Sequence, residues 1–436
     1  MVVTDTIFAL SSGRLPAGVA IVRLSGPAVR FAIETLFGKV PVPNVISHGS
    51  IRSPGGDLID RGLVVFFEGP RSFTGEDCGE FHLHGGNAVV QRLFDSLAKL
   101  NHVRPAEAGE FSRRAFMNGK IDLTQAEGLA DLIAAETEGQ RRLALRQADG
   151  LVQRFYEVWR SGLVRARSLA EAAIDFSDED DVAASAMSGA ATIVDNLVAE
   201  MRRHLAGYRS AEIVRDGYNI VILGAPNSGK SSLINAFARR EVAIVTEEAG
   251  TTRDLIDVRL DLGGNLVTVT DTAGLRDDAG LVEAIGISRA VERANQADLV
   301  LLLEDASSPL PIGLPMDGLP VLRVGNKADL LDEINDSYDF LVSAATGQGI
   351  AQLLDGISEM ASLRVAGVEL FALQDRHRRL VESCLVELEL YTSVASSADL
   401  AAEHLRRASD YLGKLSGRID MEEVLGEIFS RFCIGK

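Results

Sequence analysis

Asn219-Ile220-Val221-Ile222-Leu223-Gly224-Ala225-Pro226-Asn227-Ser228-Gly229-Lys230-Ser231 sets a short β-branched run directly against a glycine-containing turn and the start of a helix. Its last eight residues fit G-x-x-x-x-G-K-[ST], and a strand before and a helix after are the context that gives this spacing its meaning. In such a turn the backbone N–H groups and the positive end of the following helix cradle phosphate oxygens. Lys230 bridges the outer phosphates and the Ser231 hydroxyl ligates Mg2+. Asn227, Ser228, Gly229, Lys230, Ser231 and Ser232 are therefore the expected phosphate-side contacts.

The remaining nucleotide elements follow in order. Asp271-Thr272-Ala273-Gly274 ends a strand-like run, so that Asp271 can join the Mg2+ shell and the Gly274 N–H can sense a γ-phosphate. Asn326-Lys327-Ala328-Asp329 follows another such run. The Asp329 carboxylate accepts from N1 and N2 of guanine, and adenine offers no matching donors. Ser343-Ala344-Ala345 is the expected loop behind the base. Gly250-Thr251-Thr252-Arg253-Asp254 lies between the phosphate loop and Asp271, where a switch segment donates a second Mg2+ hydroxyl, assigned to Thr252. Together these motifs specify a GTPase domain. Its hydrolytic machinery is less ordinary, because a Ras-like enzyme orients water with a Gln just after D-x-x-G, and that position here is Leu275. Two candidates fill the gap. Asn227 can coordinate a monovalent cation beside the phosphates, together with carbonyls of Thr246-Glu247-Glu248, and replace an arginine finger. Glu283 can orient the water, although from the residues alone a solvent-facing switch carboxylate is the favoured reading.

Outward from this core, the 436 residues allow about two to four domains. Of the 12 prolines, none falls between residues 106 and 225 or after 320, which permits long helices in both stretches. Val152, Phe155, Trp159, Leu163, Ala166 and Ala170 step by three or four, as do Leu380, Cys384, Leu388 and Tyr391, and more loosely Leu405, Tyr411, Leu412 and Leu415. Between them, Asn219–Leu223, Leu266–Thr270, Leu299–Leu303 and Val321–Val324 alternate with helical patterns, as in βαβ units with a parallel sheet. The expected fold is multidomain, α/β and α. An α+β domain occupies residues 1–118, a helical bundle is built from 119–213 and 367–436, and a Ras-like domain of 214–366 is inserted into it. The acidic run Asp175–Asp181 reads as a solvated loop.

Lys plus Arg number 44 and Asp plus Glu 62, a formal charge of −18, which excludes a simple electrostatic nucleic-acid binder. Three cysteines (Cys78, Cys384, Cys433) in so long a chain exclude a disulfide scaffold and indicate a reducing compartment. No signal-peptide pattern and no membrane-length apolar run are expected, which makes the chain a soluble cytoplasmic one. Cys78, His82 and His84 share strand spacing without an evident fourth ligand, so zinc is not expected. Cys433, fourth from the end, does not read as a prenylation site.

The order Gly224–Ser231, Ile244-Val245-Thr246, Gly250–Asp254 and Asp271-Thr272-Ala273-Gly274-Leu275-Arg276 resembles the TrmE-Era-like branch of GTPases. The end, Ile428-Phe429-Ser430-Arg431-Phe432-Cys433-Ile434-Gly435-Lys436, resembles the MnmE (TrmE) family of tRNA modification GTPases. So do Ser72–Asp77, His84-Gly85-Gly86, Gly109-Glu110-Phe111 and Arg114–Glu127. The resemblance implies a K+-activated, GTP-hydrolysing enzyme. With the flavoprotein MnmG it adds a carboxymethylaminomethyl group to carbon 5 of the wobble uridine of certain tRNAs. It implies K+ on Asn227 with carbonyls from Thr246, Glu248 and Thr251, and raises Glu283 to the favoured water-positioning residue, with Lys230, Arg276 and Cys433 as further catalytic candidates. For Cys433 a structural role stands beside the catalytic one. It also implies a 5-formyl- or 5,10-methylene-tetrahydrofolate bound by Arg23, Glu80, Lys120 and Lys436, each of which otherwise reads as a surface charge. FAD and NADH enter only through the partner, the chain forms a homodimer and, with MnmG, a heterotetramer, and tRNA is held mostly through that complex. The sequence departs from the family at Ser12-Gly13-Arg14-Leu15-Pro16-Ala17-Gly18, where a glycine-rich turn is usual, at Glu304-Asp305, and in the short proline-rich stretch up to Pro320. The alternatives are a ribosome-assembly GTPase of the Era/Der type, which lacks this C-terminus, and a folate-dependent one-carbon carrier using GTP as a structural switch.

Overall fold

Short apolar runs near the N-terminus become β1 (Thr6–Leu10) and β2 (Ala17–Ser25), then α1 (Val29–Phe37), β3 (Ser47–Arg52), β4 (Leu58–Phe67), β5 (Cys78–Gly85), α2 (Asn87–Leu97), β6 (Val103–Pro105) and α3 (Glu110–Met117). The computed structural model describes residues 5–176, 178, 180–244, 257–271, 295–309, 320–331, 337–366, 374–394, 397–417, 428–429, 432 and 435, apart from the side chains of Asp180 and Asp271. These fall into two compact units, one drawn from residues 1–130, 153–157 and 410–436 and the other from 131–152 and 158–409.

In the first unit the sheet order is β3-β4-β5-β2-β1-β6, antiparallel except for the β1–β6 pair. The apolar stripes of α1 (Val29, Ala32, Ile33, Leu36) and α2 (Val90, Leu93, Leu97) cover Val22, Leu24, Phe66 and Phe81 of the sheet. The C-terminal residues come back to this unit. Phe429 and Phe432 pack with Ala126 against Phe116 and Ile121, and Ser11 Oγ donates to the Gly435 carbonyl at 2.6 Å.

One buried ionic cluster holds the unit's motifs together. Arg114 on α3, 4% exposed, donates to Asp5 Oδ1 and Glu110 Oε1 (both 2.9 Å), to Glu76 Oε2 (3.2 Å) and to the Asp5 carbonyl (3.0 Å). Arg104 grips both Glu110 oxygens (2.6 and 2.9 Å) and Asp5 (2.5 Å). Glu76 also accepts from Ser25 Oγ at 2.6 Å, which leaves the charged motif residues Glu76, Glu110 and Arg114 satisfied by one another. Burial pushes the Asp5 and Glu110 carboxyls up, but the hydrogen bonds and charges of the two arginines outweigh it and hold both below the ordinary carboxylate range.

In the second unit the proline-free stretches form α4 (Leu123–Ala134, whose first part belongs to the first unit), α5 (Glu138–Ala148), α6 (Leu151–Asp175, of which residues 153–157 count with the first unit), α7 (Asp180–Ala206) and α8 (Tyr208–Asp216). The Ras-like segment follows as β7 (Tyr218–Gly224), α9 (Lys230–Ala238), β8 (Asp257–Leu262), β9 (Asn265–Asp271), β10 (Leu299–Asp305), β11 (Val321–Asn326), β12 (Phe340–Leu341) and α10 (Ile350–Val365). The chain then gives α11 (Asp375–Ser393) and α12 (Ala398–Leu415, which from residue 410 counts with the first unit). The sheet order β12-β11-β10-β7-β9-β8 is parallel except at the β8 edge. That edge strand went unread in the sequence, although Val258, Leu260 and Leu262 alternate with charged residues as a half-buried strand should.

The expected helix faces are largely those that are buried. On α6 Val152, Trp159, Leu163, Ala166 and Ala170 are buried, with Tyr156 in place of the expected Phe155; on α11 Cys384, Leu388 and Tyr391 are buried, with Val381 in place of Leu380. The acidic run spans the junction of the two helices, Asp175 ending α6 and Asp180 and Asp181 opening α7. Among the described residues one helical stretch, 181–216, contains an 18-residue window of mean hydropathy 1.3, apolar enough by length and composition to cross a membrane, a test that the core helix of a bundle also passes. Ala190, Val194, Leu197 and Met201 of that stretch are buried at the spacing of a bundle stripe.

A turn of the parallel-sheet hairpin is fastened to α5. The Gly139 N–H donates to the Gly264 carbonyl (2.9 Å), and Glu136 pairs with Arg259 of β8 (2.9 Å). Any Cβ at Gly139 would lie 2.6 Å from that carbonyl, so the two backbones meet only because residue 139 is glycine.

Arg114→Met leaves Asp5, Glu76 and Glu110 facing one another and is expected to cost about 3 kcal/mol or more, read as a lower urea-unfolding midpoint at pH 7. Because the folded carboxyl values of Asp5 and Glu110 are depressed, the wild-type cluster contributes fully above the ordinary carboxylate range, about pH 4, and loses its contribution as pH falls below that range and through the lower folded values. The gap between variant and wild type should therefore narrow on acidification; a gap independent of pH would contradict this account of the cluster.

Candidate functional site

β7, β10, β11 and β12 run in parallel and present their C-terminal ends along one edge, where an open α/β sheet takes its ligands. Gly224 lies opposite Leu303, Asp305 opposite Asn326 and Gly325 opposite Leu341, so the loops that follow these strands gather at that edge.

The loop after β7 turns through two residues in the left-handed region, Asn227 (φ 64°) and Gly229 (φ 96°), before α9 begins at Lys230. A side chain at Gly229 would overlap Asn326 Nδ2. That atom donates to the Ser228 carbonyl at 2.8 Å, and Asn326 Oδ1 accepts from the Ala344 N–H at 3.1 Å. A single amide, 2% exposed, therefore ties the loop after β7 to the loop after β12. The second loop is itself a closed turn: Ser343 N–H donates to Gln348, Gly347 N–H to the Ser343 carbonyl, and Thr346 N–H to Ser343 Oγ.

Within the first loop the Lys230 ammonium donates to the Gly224 and Ala225 carbonyls at 2.9 and 3.0 Å. Asn227, Ser231 and Ser232 are exposed at this end of the loop. Ser228 Oγ is 1% exposed and has no hydrogen-bond partner among the described residues. An orphaned buried hydroxyl beside a helix N-terminus, in a turn closed to side chains by Asn326, fits an oxygen-rich anionic ligand with its divalent cation. On the base side Lys327 (φ 63°) places its ammonium on Asp305, and Asp329 is exposed on the 3-10 turn that follows.

The structure thus brings together Asn227, Ser228, Gly229, Lys230, Ser231, Ser232, Asn326, Lys327, Asp329, Ser343 and Ala344. Asp271 ends β9 opposite Ile222, described by its backbone. Thr246, Glu248, Thr251, Thr252, Thr272, Ala273, Gly274, Arg276, Glu283, Cys433 and Lys436 lie outside the described residues.

In the first unit Arg23 and Glu80 sit opposite each other on β2 and β5 and are paired, Arg23 Nε and Nη2 to Glu80 Oε1 at 3.0 Å. Glu80 Oε2 accepts from His82 Nε2, also at 3.0 Å. The His82 hydrogen bond, then the charge of Arg23, hold the Glu80 carboxyl below its ordinary value against burial. Lys120 is engaged elsewhere, donating to the Pro70 carbonyl at 2.8 Å. Of the three zinc-spaced residues, Cys78 lies among the hydroxyls of Thr74 and Ser25, His82 is on Glu80, and His84 is on Asp60. Sequence reasoning missed the Arg23–Glu80 pairing and the Asp305–Lys327 contact, both set by strand register between distant segments.

Comparison with known proteins agrees with this architecture. Residues 6–120 match the pattern described as the GTP-binding protein TrmE N-terminus, and residues 123–433 match the MnmE helical domain. The tRNA modification GTPase MnmE of Brucella anthropi is 52% identical over 99% of this chain and 98% of its own, and that of Mesorhizobium japonicum is 50% identical over the full length of both. A solved FeoB G-domain from Methanococcus jannaschii is 28% identical over 33% of this chain and 98% of its own, with TM-score 0.26. The chain belongs to the MnmE family of tRNA modification GTPases, P-loop GTP hydrolases that act in tRNA modification.

Proposed function

We propose that this GTPase is activated by K+ and works with the flavoprotein MnmG to place a carboxymethylaminomethyl group on carbon 5 of the wobble uridine of certain tRNAs. Asn227 and the carbonyls of Thr246, Glu248 and Thr251 hold the K+. Ser231 and Thr252 take the Mg2+ that accompanies the nucleotide in this family, with Asp271 in its outer shell. Glu283 orients the attacking water in place of the Gln that Leu275 does not supply, and Lys230 and Arg276 meet the phosphate charge. Asn326, Lys327, Asp329, Ser343 and Ala344 take the guanine. The observation that most supports this reading is the Asn326 strap, since one side chain fixes both the loop that cups phosphate and the loop that backs the base.

In the 1–118 domain a tetrahydrofolate derivative is held by Arg23, Glu80 and Lys120, with Lys436 from the C-terminus. The Ser11–Gly435 hydrogen bond supports that last placement, because it seats the penultimate residue beside the β1–β2 turn. Arg23 and Glu80 neutralise each other, so a folate must exchange that pair for its own carboxylates and amino groups. The protein is a cytoplasmic homodimer that assembles with MnmG, which brings FAD and NADH and much of the tRNA contact; a formal charge of −18 agrees with that sharing. The helical bundle of 119–213 and 367–436 carries the inserted 214–366 domain.

Steady-state GTP hydrolysis in matched K+ and Na+ buffers tests the cation assignment. K+ is expected to stimulate turnover roughly tenfold or more, the scale of a preorganised charge at a transition state, and Asn227→Ala to abolish the difference. Equal rates in the two salts would sink it. For the folate site, 5-formyl-tetrahydrofolate should bind in calorimetry and lose about tenfold in affinity in Arg23→Ala, the scale of one charge-assisted contact. Unchanged binding would remove Arg23 from the pocket.

A further inference from the structure

Asp305, next to the Glu304 by which this chain departs from its family at the end of β10, touches the guanine-side motif directly. Its Oδ2 accepts from Lys327 Nζ at 2.5 Å. Its Oδ1 accepts from the Ser307 N–H (3.0 Å) and Ser307 Oγ (2.6 Å), so both oxygens are fixed before any ligand arrives. Asp305 and Asn326 are partners in the parallel β10–β11 register, and the Ala306 N–H donates to the Asn326 carbonyl at 2.9 Å. The strand end that carries the acid is therefore bonded to the residue just before the lysine. Glu304 is engaged differently, 3.3 Å from Arg323, whose guanidinium lies over Tyr338. Alternation along β10 separates the two acids and leaves Asp305 alone to the lysine.

We infer that Asp305 is a positioning residue of the guanine subsite, acting by pinning the Lys327 ammonium. The inference rests on the reading that Asn326-Lys327-Ala328-Asp329 takes guanine. A lysine has four rotatable bonds, and ordering them on binding costs affinity. Here that order exists in advance, because the backbone of Lys327 is held in a left-handed turn, its carbonyl accepts from the Leu330 N–H at 3.0 Å, and its ammonium is held by Asp305. Burial pushes the Asp305 carboxyl up, but the Lys327 hydrogen bond and the two Ser307 donors outweigh it and keep the acid ionised, as an anchor for an ammonium must be. Asp329, the carboxylate assigned to the base, follows on the same short turn, so fixing Lys327 also limits where that turn can go.

The test is a fluorescence titration of the full-length protein with N-methylanthraniloyl-GDP, in wild type, Asp305→Asn, Lys327→Ala and the double variant, with Tm measured for each. Asp305→Asn is expected to weaken GDP binding about tenfold, the scale of a charge-assisted hydrogen bond, and to raise KM for GTP while kcat is retained. On the Lys327→Ala background it should cause no further loss, which a general structural defect would not produce. Wild-type affinity in Asp305→Asn, or the same loss on both backgrounds, overturns the role of Asp305 and leaves the guanine reading in place. Failure of the wild type to prefer GDP over ADP overturns that reading as well.

Discussion

The nucleotide half of this protein depends on one buried amide. Asn326 stands where any side chain at residue 229 would have to go, and from there it bonds the Ser228 carbonyl and the Ala344 N–H. Two loops from strands that are distant in sequence thereby share a reference point. A backbone carbonyl and a backbone N–H left unpaired in that interior would each cost about 1–3 kcal/mol, so the amide stabilises the loops while it sets their spacing. The glycine requirement follows from the amide. Gly229 is needed both for its left-handed backbone and because Asn326 leaves no room for a Cβ.

The same economy of buried polar groups governs the N-terminal unit. A guanidinium can satisfy several acceptors in one plane, and Arg114 uses this to serve Asp5, Glu76 and Glu110 at once. The stretch from Ser72 to Asp77 and the stretch from Gly109 onward look like binding motifs when read in sequence. In the fold, much of their charge is turned inward: Glu76 to Ser25 and Arg114, Asp77 to Arg30, Glu110 to Arg104. Such charges hold the segments that flank the sheet, and the sheet in turn presents Arg23 and Glu80 side by side.

What was legible in the sequence was local. The run from Asn219 to Ser231 declares strand, turn and helix because each depends on neighbouring residues, and the proline-free stretches declare helices for the same reason. The Asn326 motif announced its base-side role, while its grip on Ser228 depends on β7 and β11 lying on either side of β10. The Arg23–Glu80 pair needs the register of β2 against β5, fifty-seven residues apart, and no composition or period encodes a register between separate strands. The β8 edge strand is equally local, since Asp257-Val258-Arg259-Leu260-Asp261-Leu262 alternates cleanly.

The β8–β9 hairpin joins the local and the global parts of this argument. Its strand β9 ends at Asp271, in register with the strand that feeds the phosphate loop, while its turn at Gly263–Gly264 is bonded to the first residues of α5. The backbones at Gly139 and Gly264 are too close to admit a side chain, and Glu136 and Arg259 add an ion pair alongside. A hairpin that shifts at its Asp271 end must therefore either carry the start of α5 with it or give up that hydrogen bond. Strands in register transmit displacement better than they absorb it, because slipping by one residue would turn every buried side chain outward. The close glycine contact and the ion pair thus tie the far turn of this hairpin to the start of α5.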